Sequence, residues 1–234
     1  MTPEPRIYQE TFDHGPGGWW GWHGNHLGLK ALPCRDGRIE TISPWWIDYN
    51  HAPPGAGYLH MLFCLTTKGP LGEQIQEIAG PNKFIQGGYS RNLENAEIRV
   101  RIRGEMKMRG AQVVFLVQAG SGGITAPWAL TSQPIAIEQE LQEQVLHLTP
   151  DESAWTCLRG RHDRQDYYAE FPLITCLRDV NCNLMLILFP LDIQPIGDPG
   201  GDPHLLRPER DYPVWRSALP EGRLELDTFE IRYP

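Results

Sequence analysis

The 234-residue sequence lacks the features that define several large classes of protein. No apolar run approaches the roughly 20 residues of a membrane-spanning helix, and the longest, at 183–191, is typical of a buried strand. The amino-terminal residues contain no apolar segment of the kind that a secretory signal has. The sequence therefore predicts a cytoplasmic protein without membrane contacts.

Paired cysteines are also missing. The five cysteines are odd in number and contain no CxxC pair, so the pattern does not indicate a disulfide framework. We expect reduced thiols, most of them buried among apolar neighbours. A single bridge between Cys176 and Cys182 is the alternative.

Positive charge and catalytic motifs are scarce. Lys and Arg number 21 against 29 Asp and Glu, which gives a formal net charge of −8. Nucleic acid is therefore not an expected partner, because binding it depends on neutralising phosphates. The sequence contains no GxSxG, no phosphate-binding loop and no HExxH, and so has no motif for a serine nucleophile, a nucleotide site or a zinc protease.

Helical periodicity is rare as well. The clearest case is 71–80, where Leu71, Ile75 and Ile78 share one helical face and Gly80 begins a stop signal. The apolar positions of the acidic stretch 137–148 fit neither the helical period nor the strand period cleanly, and we interpret this stretch as a turn followed by a strand.

What the sequence does contain is a series of strand patterns. Residues 96–105 alternate strictly between aliphatic residues and arginines, whereas 57–67 and 111–120 are continuous apolar runs. In the last strand, 222–234, the alternation slips by one residue, which predicts a β-bulge near Asp227–Thr228. With Gly and Pro raised, these patterns predict an all-β, two-sheet sandwich.

We find no linker that would divide the chain. We therefore predict one β-sandwich domain over 1–234, with loop insertions near 13–56, 68–90 and 192–222. Loops this long in compact domains are usually functional or disordered.

Aromatic residues concentrate in two of these irregular segments. Five of the eight tryptophans lie in 15–26 and 43–51, beside histidines and an aspartate. Exposed rings stack on the apolar faces of sugars, and polar groups bind the hydroxyls. In each adjacent pair of tryptophans we expect one ring in the core and one exposed. The ligand-binding candidates from these segments are Trp20, Trp22, His26, Trp46 and Asp48.

A second polar run, 159–171, places arginines beside acids and tyrosines. Arg161 and Tyr168 are candidates for binding a sugar carboxylate, because a guanidinium makes paired hydrogen bonds to carboxylates. If the protein is an enzyme, His51, His162 and Tyr167 are the candidate acid–base groups. The alternative is an ordinary solvated loop.

The two ends of the chain, "YQETFDHGPGGW" at 8–19 and "GRLELDTFEIRYP" at 222–234, with the strand patterns between them, resemble the galactose-binding-like jelly-roll domains. The resemblance covers roughly 6–233 and implies a jelly-roll path and carbohydrate binding. It also implies a structural calcium held by acids of the first and last strands, here Glu10 or Asp13, and Asp227. No second acid flanks Asp227, which departs from that pattern. No other cofactor is expected.

Three functions follow as hypotheses. The first is a protein that binds a glycan or sugar in an aromatic-lined groove. The second is a sugar-active enzyme, of lyase or hydrolase type, using the same groove. The third is an accessory subunit whose aromatic patch contacts a protein, and a homo-oligomer is left open.

Overall fold

The computed structural model describes residues 7–22, 29–41, 58–158, 170–191 and 220–234, which form two packed β-sheets. Every strand pairing among them is antiparallel. The strands are β1 (Ile7–Glu10), β2 (Trp19–Trp22), β3 (Leu29–Lys30), β4 (Cys34–Arg35), β5 (Arg38–Glu40), β6 (Tyr58–Thr66), β7 (Glu97–Lys107), β8 (Gln112–Ser121), β9 (Ile124–Ala129), β10 (Gln142–His147), β11 (Thr156–Cys157), β12 (Asn183–Leu191) and β13 (Glu221–Arg232). The helices are α1 (Glu73–Ala79), α2 (Lys83–Gln86) and α3 (Leu173–Arg178). The predicted all-β sandwich is confirmed, and the jelly-roll path stays a prediction.

The first sheet has the order β10-β7-β13-β5-β4, and β1 pairs with the second half of β13. The register between β13 and β7 shifts between Leu226 and Thr228, so Asp227 is the extra residue of a bulge. Because a bulge resets the alternation, Leu226 before it and Phe229 after it both reach the core. The bulge predicted from the sequence is confirmed.

The second sheet has the order β11-β9-β8-β12-β6-β2-β3. The three continuous apolar runs of the sequence form β8, β12 and β6, side by side at its centre. Both faces of this sheet are buried, which explains why these strands show no alternation. The inner face packs on the first sheet. The outer face carries a separate apolar group, which we call the outer cluster: Trp20, Leu59, Met61, Cys64, Ala79, Val114, Leu116, Ala129, Leu158, Met185, Ile187 and Phe189.

Strand β7 alternates as its sequence predicts. Ile98, Val100 and Ile102 are fully buried in the core between the sheets. The intervening arginines lie on the opposite face and form ion pairs. Arg103, for example, donates through two nitrogens to one oxygen of Glu225, at 2.7 and 2.8 Å.

The helices are short and lie at the margins of the sandwich. The helix predicted over 71–80 is α1, and Ile75 and Ile78 pack against the outer cluster. The stretch 137–148 contains strand β10, as interpreted from the sequence. No helix in the described part of the chain is long and apolar enough to cross a membrane.

One end of the sandwich gathers several strand ends. There β12 finishes at Leu191 beside Tyr58, the first residue of β6. Strand β13 begins there too, at Glu221, beside the last residue of β7. A short turn joins β7 to β8, whose first residue pairs near the end of β12, so these strand ends belong to one end of the sandwich. We call it the Leu191 end.

Candidate functional site

The adjacent tryptophans of β2 differ from their predicted arrangement. Trp19 is fully buried in the core between the sheets, and Trp20 is only 6% exposed, in the outer cluster. The two rings do point to opposite faces, but the expectation that one of them is exposed is wrong for this pair. The reason is that the outer face of the second sheet is itself covered.

Trp20 is held firmly in that position. Its indole nitrogen donates to Thr66 Oγ1 at 3.2 Å, and Thr66 in turn donates to Asn183 Oδ1 at 3.1 Å. With its hydrogen bond made within the protein and its ring buried, Trp20 can support a neighbouring side chain but offers little surface of its own to a ligand.

Trp22, the last residue of β2, is that neighbouring side chain. It is half-buried, and its ring centroid lies 6.3 Å from that of Trp20, with the planes inclined at 63°. Its indole Nε1 is buried without a hydrogen-bond partner. A buried donor without an acceptor is costly and requires an explanation. Of the predicted ligand-binding residues that the structure describes, Trp22 is the better candidate.

Most of the other predicted site residues lie outside the described residues: His26, Trp46, Asp48, His51, Arg161, His162, Tyr167 and Tyr168. The described strands nevertheless show where their segments join the fold. Residues 23–28 follow Trp22, and 42–57 precede β6 at the Leu191 end. Residues 159–169 follow Leu158, which is fully buried in the outer cluster. The first two segments therefore join the second sheet at β2 and β6, whereas 159–169 leave it at the opposite edge, level with Asn183.

His60 lies on β6 between Leu59 and Met61, which both belong to the outer cluster. The alternation of a strand therefore turns His60 to the inner face, where it is 1% exposed. His60 thus lies on the opposite face of the sheet from Trp20 and the rest of the outer cluster.

The three predicted calcium ligands are not brought together. Glu10 is fully buried, and its Oε1 accepts from Lys83 Nζ at 2.7 Å. Asp13 is exposed and accepts from the Thr11 hydroxyl at 2.6 Å. Asp227 pairs with Arg101 at 3.2 Å on the outer face of the first sheet, whereas Glu10 faces inward.

These positions do not provide the set of converging oxygens that calcium requires. Within the described ranges, no three His, Cys, Asp or Glu side chains form a group that could hold a metal. The calcium prediction thus gains no support, and Lys83 already neutralises the carboxylate on the first strand.

Sequence reasoning missed the buried polar group around Glu10. Besides Lys83, the Oε1 atom accepts from the backbone of Phe12 at 3.0 Å, while Oε2 is buried without a partner against Gly17. Burial, with the Glu10 charge, raises the pKa of Tyr8. The Trp19 indole opposes this rise slightly but does not reach hydrogen-bond geometry with the hydroxyl. The alternation of β1, which turns Tyr8 and Glu10 inward together, was the available signal.

A second buried carboxylate, Glu225, was also missed. It is 7% exposed and is surrounded by Arg38, Arg103 and Arg223, with nitrogen–oxygen distances of 3.5, 2.7 and 3.2 Å. Since three cations already surround it, Glu225 is suited to holding β5, β7 and β13 together and not to proton transfer.

The cysteines do not form a nucleophilic centre. All five are free thiols, and no bond joins Cys176 to Cys182. Burial raises the pKa of Cys34, Cys64 and Cys182, and raises that of Cys176 to about 12. Thiols with raised pKa values stay protonated at neutral pH and react slowly.

The described geometry therefore offers one half-buried indole with an unused donor, beside a covered apolar sheet face, and no metal or thiol centre among the residues it includes. Comparison with known proteins found no matching family model, no matching curated protein and no matching solved structure.

Proposed function

We propose that this protein binds carbohydrate at the outer side of the second sheet, toward the Leu191 end, with Trp22 as a stacking ring. The observation that most supports this proposal is that the Trp22 indole is half-buried and its N–H has no acceptor. A sugar would supply both a stacking face and an acceptor: its C–H face covers the exposed part of the ring, and a hydroxyl oxygen accepts from the indole N–H once the groups that now cover that nitrogen move aside.

Trp20 supports this role indirectly. Its edge-to-face contact with Trp22 and its hydrogen bond to Thr66 fix the orientation of the neighbouring ring. A ring that is fixed before binding loses less entropy when the ligand arrives. Trp20, predicted as a ligand contact, is thus proposed as a positioning residue.

The way the chain joins the fold gives a second line of support. The segment that carries His26 begins after Trp22 on β2, and the one that carries Trp46 ends at Tyr58 on the neighbouring strand β6, whereas the segment that carries Arg161 begins at the opposite edge of the sheet. Binding residues are commonly placed on connections that a rigid scaffold holds at one end. The galactose-binding-like resemblance is part of the proposal, and a structural calcium is not.

We propose binding without turnover. The candidate catalytic residues His51, His162 and Tyr167 lie outside the described residues. Four of the five thiols, those of Cys34, Cys64, Cys176 and Cys182, have raised pKa values, which gives nucleophilic chemistry at these residues no support. The sugar-active enzyme and the accessory subunit remain the alternative predictions.

The test is a glycan screen followed by calorimetric titration of the best ligand. Trp22→Ala should weaken binding by about tenfold or more, because it removes both the stacking and the hydrogen bond. Trp22→Phe keeps the stacking and should lose less. Tyr89→Ala, which removes a half-buried ring near α2, is the matched control and should bind as the wild type does.

The proposal fails if no glycan in the panel binds with millimolar affinity or better. It also fails if Trp22→Ala binds the best ligand as tightly as the wild type does. Melting temperatures of all three variants show whether a loss of binding comes from a loss of folding.

A further inference from the structure

The opposite end of the sandwich carries a polar cleft. We call it the Asn183 end, since β12 begins there beside Thr66, the last residue of β6. The cleft has a volume of about 410 Å³ and lies between the residues after β6, the residues after α2 and the end of α3. None of the predicted site residues that the structure describes lines it.

Hydrogen bonds between these three segments hold the cleft walls in place. Val180 N donates to Arg91 O at 3.0 Å, and Leu93 N donates to Leu177 O at 2.7 Å. Thr67 is bound twice, through its N–H to Cys182 O at 3.0 Å and through its hydroxyl to Val180 O at 2.6 Å. Arg91 is itself one of the bonded residues, and Lys68 and Arg178 adjoin two others, Thr67 and Leu177. The backbone at all three cations is therefore held by hydrogen bonds.

The charge of the cleft is opposite to that of the chain. Among the described residues, Lys68, Arg91 and Arg178 line it with a single carboxylate, Asp179, in a chain of net charge −8. Arg91 pairs with Asp179 at 2.8 Å, and Arg178 pairs with Glu94 at 2.8 Å. Lys68 is exposed, and no carboxylate in the described part of the chain lies within ion-pair distance of it.

The cleft also has an apolar side. Tyr89 lines it and packs on Phe84 with ring centroids 5.9 Å apart. Ile85 lines both the cleft and a neighbouring hollow of about 460 Å³ that also includes Leu71 and Pro81. An organic molecule bound by its anionic group in the cleft would find apolar surface for its body in this hollow.

We propose that this cleft is a second ligand site, which binds a small organic anion through its carboxylate or phosphate group. Lys68 and Arg91 bind the oxyanion, and Ile85 contacts the apolar body. Arg91 presents a planar fork of donors that matches either group. Asp179 competes with the ligand for Arg91, so the anion takes over a hydrogen bond that the free protein makes to its own carboxylate. This site does not depend on carbohydrate binding at Trp22.

The experiment follows backbone amide NMR signals of the full chain during titration with three probes. Benzoate carries a carboxylate on an apolar ring, phenyl phosphate carries a phosphate on the same ring, and benzyl alcohol is the neutral control. The two anions should shift the amides of 67–69, 89–92 and 178–179, and the alcohol should not. The tighter of the two anions identifies the preferred source of the oxyanion.

Three single-residue variants make the assignment specific. Lys68→Gln should weaken binding of the tighter anion by about tenfold, because it removes a charged hydrogen bond. Asp179→Asn should tighten binding, because it removes the competing carboxylate. Lys107→Gln, with the same loss of charge at the Leu191 end, should change nothing. Trp22→Ala should likewise leave anion binding unchanged, which separates this test from that of the carbohydrate site.

The proposal is overturned if neither anion shifts these amides at millimolar concentration. It is also overturned if Lys107→Gln weakens binding as much as Lys68→Gln, because attraction would then be due to overall charge. Failure of Asp179→Asn to tighten binding would equally contradict it.

Discussion

The ion pair between Glu10 and Lys83 makes an asymmetric prediction for stability. The Glu10 side chain is fully buried, whereas that of Lys83 is 40% exposed. Removing the charge of Glu10 frees a lysine that can turn into water. Removing the charge of Lys83 leaves a buried carboxylate without its cation. We therefore expect Lys83→Met to destabilise the protein more than Glu10→Gln does.

The structure sets the size of each effect. Leaving a buried charge unpaired costs about 3–5 kcal/mol, and Lys83→Met should fall near the low end because Thr11 and Phe12 still donate backbone N–H groups to Glu10. Glu10→Gln keeps an acceptor for those donors and should cost about 1–2 kcal/mol. Helix α2 stays anchored in both variants, since Asn82 donates to Thr66 O at 2.7 Å.

The assay is urea unfolding at neutral pH of the wild type, both single variants and the double variant. The double variant should be more stable than Lys83→Met alone, because it no longer buries an unpaired charge. The loss of about 3 kcal/mol expected for Lys83→Met relative to the wild type corresponds to a melting temperature lower by about 6–12 °C for a chain of this size. A cost for Lys83→Met no greater than that for Glu10→Gln, or a double variant less stable than Lys83→Met, would contradict this expectation.

Two further predictions concern other buried or edge groups. Burial raises the pKa of Tyr8, so the native protein keeps a proton that the unfolded chain releases above about pH 10, and stability falls as the pH rises further. Tyr8→Phe should cost little stability at neutral pH, since the hydroxyl is buried without a hydrogen-bond partner, and should reduce the fall in stability at high pH. Urea unfolding of both proteins at neutral pH and at about pH 11 measures this fall. An equal loss of stability in the wild type and in Tyr8→Phe would contradict the prediction. Gln133 bonds both the N–H and the C=O of His147 on the edge strand β10, so Gln133→Ala should cost about 1 kcal/mol and increase self-association through the uncovered edge. Sedimentation and unfolding profiles identical to those of the wild type would count against this second prediction.

The sequence predicted best the features that depend on neighbouring residues. The alternation of β7 and the slip at Asp227 are local patterns, and the structure confirms both. The spacing of Ile75 and Ile78 likewise located α1. Helix α3 was missed, because six residues are too few to show a helical period.

Features that depend on distant contacts could not be predicted. Glu10 and Lys83 are 73 positions apart, so nothing beside Glu10 in the sequence announces its partner. Trp20 is buried because the second sheet is covered on its outer face, which the alternation of β2 cannot reveal. The cleft around Lys68 and Arg91 likewise exists only because three separate segments meet.

The most direct test of the proposed carbohydrate site is the NMR signal of the Trp22 indole N–H during titration with the best glycan of the screen. Trp22→Phe assigns this signal by its disappearance. Trp155, whose indole already donates to Thr149 O at 3.0 Å, provides the internal control. We expect the Trp22 signal to shift as its N–H gains an acceptor, while that of Trp155 stays in place. A Trp22 signal that does not move when the glycan is bound would contradict it.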